Sequence, residues 1–74
     1  MNIHDFLEYG VILLSDPARD IVITWNEETK TDFVIFQGDE KGAYSEYDII
    51  TSDTALEIDT ALEYAENILN DFQG

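Results

Sequence analysis

Few side chains in this sequence are equipped for covalent or acid–base chemistry. His4 is the single histidine, beside Asp5 near the start of the chain, and there is no cysteine. A thiolate nucleophile is therefore absent, and a lone histidine without partners reads as a solvated or capping residue rather than a catalytic one. Carboxylates are the abundant reactive group, with 17 Asp and Glu. Paired carboxylates cleave glycosidic bonds only across a cleft of set width, which a small domain rarely builds. An EF-hand loop needs oxygen ligands at alternate positions, a glycine at the sixth and a glutamate at the twelfth, and Asp39-Glu40-Lys41-Gly42 does not offer that spacing. No glycine-rich phosphate loop is present either. The residues thus predict a protein that is not an enzyme and carries neither a cofactor nor a specific metal.

What remains to explain is the charge. The acids face only Arg19, Lys30 and Lys41, a net charge of −14 on 74 residues. Residues 1–37 carry seven acids and two bases, and residues 38–74 carry ten acids and one base, so the second half holds −9 of the total. In the last segment Asp59, Glu63 and Glu66 fall at offsets 0, 4 and 7, and the same side continues through Asn67 and Asn70 to Asp71. On a helix, charges four residues apart are separated by about 6 Å along the axis. Glu57, Glu46 and Asp48 add further acid from the start of that helix and from the segment before it. A solvated helix face ordinarily mixes signs, because Glu followed by Lys four residues later stabilises the helix while like charges weaken it. This segment has no base at all. Tyr44, Tyr47 and Tyr64 lie among the acids, and tyrosine anchors interfaces well because its ring buries area while its hydroxyl stays polar.

Such a charge excludes direct binding to nucleic acid, where Lys and Arg must displace counterions from phosphates. Anionic membrane surfaces are excluded on the same ground. A basic partner is favoured, since a strongly negative field steers its approach. The longest apolar run, Val11 to Leu14, is far too short to span a bilayer, and Met1 to Asp5 lack the positive region of a signal peptide. Together with the absence of cysteine, this predicts a cytoplasmic protein.

At 45% apolar residues with nine aromatics, the chain is too hydrophobic for a disordered acidic tail and suits one small α+β domain spanning 1–74. Ile3, Phe6, Leu7, Gly10, Leu13 and Leu14 lie on one helical stripe, which predicts a helix over about 3–14, capped by Asn2 and stopped by Asp16-Pro17. Residues 20–26, 31–37 and 43–51 read as three strands of an antiparallel meander. If residues 28–29 form the hairpin tip, paired positions sum to 57, placing Ile23 opposite Val34 and Ile21 opposite Phe36. Both sheet faces are then apolar, so either helices cover both or one face meets a target or a second copy in a homodimer. Ile58, Ala61, Leu62, Ala65, Ile68, Leu69 and Phe72 form the stripe of a C-terminal amphipathic helix. Its start has two readings, since Thr54 with Glu57 and Thr60 with Glu63 both match a capping box. With the second box, Leu56 and Ile58 would alternate as a short fourth strand.

In size, charge, absence of cysteine and order of elements, the chain resembles small acidic phage or mobile-element proteins that inhibit host nucleic-acid enzymes, among them DNA mimics and anti-CRISPR proteins. The resemblance covers the whole chain in character and no single motif. It implies inhibition by occlusion of the basic groove in which a CRISPR effector or nuclease holds DNA or guide RNA, within the cytoplasm of the host. The partner-binding residues would be Glu46, Asp48, Glu57, Asp59, Glu63, Glu66 and Asp71 in place of phosphates, with Tyr44, Tyr47 and Tyr64 adding packing. Two other readings share the charge. One is an immunity protein or antitoxin that neutralises a basic toxin, and the other is an ordinary protein of a salt-adapted organism.

Overall fold

A computed structural model describes residues 10–72. The chain forms four strands, β1 (Val11–Asp16), β2 (Ile21–Trp25), β3 (Asp32–Gly38) and β4 (Tyr44–Thr51), followed by one helix, α1 (Ile58–Asp71). The strands pair in sequence order as an antiparallel meander, β1-β2-β3-β4. The α+β class, the antiparallel meander and the C-terminal amphipathic helix are as expected, and the sheet has a fourth strand beyond the three read from the sequence.

The fourth strand comes from an unexpected place. Val11 to Leu14, assigned from the sequence to the end of an N-terminal helix, belong to β1, Gly10 before them is not helical, and residues 3–9 of that expected helix lie outside the described residues. The stripe that suggested a helix arises partly from a bulge in β1. Ile12 pairs with Thr24 and Leu14 with Ile23, so Leu13 is the extra residue and the simple alternation of a strand is interrupted there. Gly10, at φ 132°, precedes the strand; a Cβ at that position would lie 2.0 Å from the Trp25 carbonyl oxygen. The backbone passes too close for any other residue.

The register of the central hairpin also differs from expectation. Ile23 pairs with Ile35 and Val22 with Phe36, so paired numbers sum to 58 rather than 57. The turn explains the slip. The Asn26 amide donates to the Asp32 carbonyl (2.9 Å), Lys30 donates back to the Asn26 carbonyl (2.8 Å), and Lys30 takes a left-handed φ of 62°. Residues 27–31 thus form an odd-numbered loop, with the Asn26 side chain accepting from the amides of Glu28 and Thr29. Moving the register by one residue exchanges the faces of β3. Phe33 and Ile35 join Ile21, Ile23 and Trp25 beneath the helix, whereas Val34 and Phe36 join Val22 and Thr24 on the other side.

Both faces of the central strands are buried, and all five residues of β2 are. The larger core cluster is closed by Ala61 and Ala65, whose small side chains let α1 lie close to the sheet. Ile12 and Tyr44 pack on the cluster of the second face. α1 begins at Ile58 with Glu57 as its N-cap, and no side chain caps it, so neither predicted capping box forms. Residues 55–57 are not a strand either; the Leu56 amide donates to the Lys30 carbonyl (2.9 Å) and ties the helix entry to the hairpin loop.

Candidate functional site

The helix lies asymmetrically over the sheet. Its backbone comes closest to β1, and Arg19, from the β1–β2 turn, donates through Nη1 to the Leu69 carbonyl (2.9 Å). A cation therefore does meet the negative C-terminal end of the helix, although the helix sequence contains none. Arg19 also lies 3.6 Å from Asp16, the sole ion pair among the described residues. Sequence reading missed this role because the contact spans 50 residues.

On the β4 side the helix leaves a cleft of about 780 Å³. Ile35, Ile50 and Ile68 give it an apolar lining, and Tyr47, Tyr64 and Phe72 line it with aromatic rings. Tyr64 stacks on Phe33 with centroids 4.9 Å apart, and Tyr47 meets Phe72 edge-on at the same distance. Asp48, Asp71 and Asn67 complete the lining. A second bulge makes this arrangement. Ile35 pairs with Asp48 and Phe36 with Glu46, leaving Tyr47 as the extra residue, so Tyr47 and Asp48 both reach the helix side of the sheet.

The predicted partner-binding residues thus separate into three groups. Asp59, Glu63 and Glu66 form an exposed ridge along α1, with Glu57 at its N-terminal end. Asp48, Asp71, Tyr47 and Tyr64 gather around the cleft. Glu46 and Tyr44 lie on the opposite sheet face, aligned with Phe36 and Gly38.

The acids also divide by what they do. Asp39 accepts from the amides of Lys41 (2.8 Å) and Ala43 (3.0 Å) and so closes the β3–β4 turn. Asp16 accepts from the Ala18 amide, and Asp32 from the hydroxyls of Thr29, Thr31 and Thr51. These carboxylates hold turns and strand ends. In contrast, Glu46, Glu57, Asp59, Glu63, Glu66 and Asp71 are exposed, and their carboxylates make no hydrogen bond or ion pair to another described residue. Exposed apolar side chains lie among them: Ile58 is 58% and Tyr47 54% exposed, and Leu62 stands out from the same helix.

Among the described residues no group of three or more His, Cys, Asp or Glu is placed to hold a metal ion, and no helix is long and apolar enough to cross a membrane. Comparison with protein-family models, curated proteins and solved structures found no match for the chain.

Proposed function

We propose that this protein is a non-enzymatic inhibitor that occupies the basic nucleic-acid groove of a host defence enzyme, acting as a DNA mimic in the host cytoplasm. The observation that carries the reading is the row of exposed carboxylates at Asp59, Glu63 and Glu66, which make no hydrogen bond or ion pair to another described side chain, on a helix whose own sequence has no Lys or Arg. Asp59 and Glu66 are about 10 Å apart along the axis, so the three charges follow one edge of the helix as phosphates follow a strand. Repulsion along such a ridge weakens the isolated helix, and a basic groove would relieve it. Ile58, Leu62 and Tyr47 add apolar area beside the charges, the mixture expected of an interface with a few packed anchors. A CRISPR effector or another nuclease is the most specific form of such a target.

The experiment is a pull-down with tagged protein from lysate of the source cell, washed at low and then at high salt, with mass spectrometry of the eluate. Recovery of a DNA-binding enzyme released by salt supports the reading and names the target. Recovery of one small basic toxin replaces it with the immunity reading, and recovery of no specific protein removes it.

A further inference from the structure

We infer that the cleft between β4 and the C-terminal half of α1 seats an arginine side chain presented by the basic partner; this rests on the reading of the acidic surface as an interface. The cleft combines three kinds of lining. Its apolar residues and three aromatic residues would lie against a side-chain stem, and Asp48 and Asp71 belong to the same lining. Arginine matches each part: its methylene stem packs on apolar surface, its planar guanidinium stacks on aromatic faces, and its fork of donors suits carboxylates. Asn67 offers a further carbonyl acceptor.

Among the described residues no Lys, Arg or His lines the cleft. Arg19 is engaged on the far flank of the helix at the Leu69 carbonyl, and Lys30 and Lys41 sit in the β2–β3 and β3–β4 turns. The two carboxylates come from elements remote in sequence, one delivered by the β4 bulge and the other by the last turn of α1. A volume of about 780 Å³ exceeds what one side chain fills and accommodates the backbone of a short segment around it. The field of the ridge would guide the encounter, and the cleft would give it a fixed anchor, as buried arginine and aromatic contacts do in other interfaces.

The probe is acetyl-Gly-Arg-Gly-amide, titrated into the full chain labelled with nitrogen-15 at low salt and followed by amide chemical shifts, with the norleucine peptide as control. Saturable shifts centred on Tyr47, Asp48, Asn67 and Asp71, absent with norleucine, are expected. Asp48→Asn retains the oxygen that accepts from the Ile49 amide, so the fold should survive. This change and Asp71→Asn should each weaken the arginine peptide by about tenfold, the loss of one charge-assisted hydrogen bond. An equal response to norleucine, shifts confined to the Asp59–Glu66 ridge, or no saturable shift would overturn the inference. The wider reading is tested separately. Asp59→Asn, Glu63→Gln and Glu66→Gln together should abolish competition with DNA for the target while leaving the peptide shifts intact.

Discussion

The two flanks of the helix meet the sheet differently. On the β1 side the helix meets its neighbour closely, Arg19 ties the turn to the Leu69 carbonyl, and Leu13, Leu14 and Leu69 pack on the core. On the β4 side the same helix stands away from the strand, and the space is lined by rings and carboxylates. Both edge strands carry a bulge, yet the consequences diverge. The β1 bulge adds a leucine to the core, whereas the β4 bulge brings Tyr47 and Asp48 to the rim of a cleft. The difference teaches that one flank is pinned to the sheet while the other opens into a cleft whose Ile50, Tyr64, Ile68 and Phe72 still pack against the core.

Substitutions on the two flanks should therefore separate stability from binding. Phe33 lies beneath both, fully buried and stacked on Tyr64. Phe33→Ala should cost about 3–5 kcal/mol in chemical denaturation and disorder the cleft as well. Gly10→Ala acts on the closed flank alone, forcing a Cβ against the Trp25 carbonyl at a left-handed φ. It should cost roughly 2–3 kcal/mol, with the midpoint falling and the slope unchanged. Arg19→Ala removes the hydrogen bond to the helix end from a half-exposed side chain, and about 1 kcal/mol should be lost, more at low salt than at high.

Tyr47→Ala is the contrasting change on the open flank. With Tyr47 54% exposed on an edge strand, stability should move by less than about 1 kcal/mol, while target capture in the pull-down should fall sharply. A large loss of stability from Tyr47→Ala would mean that the open flank is structural after all. The smallest effect concerns the whole molecule. Screening of fourteen net charges should raise the melting temperature by a few degrees over the first few hundred millimolar of salt. An unchanged or falling value would show that the ridge is not under repulsion.

Much of this arrangement was legible in the sequence, and the failures have physical causes. β2, β3, β4 and α1 follow from alternation and helical spacing, and the tyrosines and acids later found at the cleft were singled out by type. The register was missed because an odd loop depends on the left-handed Lys30 and the Asn26 side chain, not on the alternation that both registers satisfy. β1 was missed because a bulge breaks its period and, with Gly10, imitates a helical stripe. The exposure of Ile58 could not be seen either, since the apolar stripe does not say which of its margins meets the sheet. Nor could the spacing show which carboxylates would be engaged in turns and which left unpaired, because that depends on backbone amides brought close by folding.

The most direct measurement is competition on the recovered target: DNA labelled with a fluorophore, bound to the enzyme at low salt and titrated with this protein while anisotropy is read. The account predicts stoichiometric displacement of the DNA by the native chain and none by the chain carrying Asp59→Asn, Glu63→Gln and Glu66→Gln together. Formation of a ternary complex with DNA still bound, or equal displacement by the neutralised ridge, would contradict it.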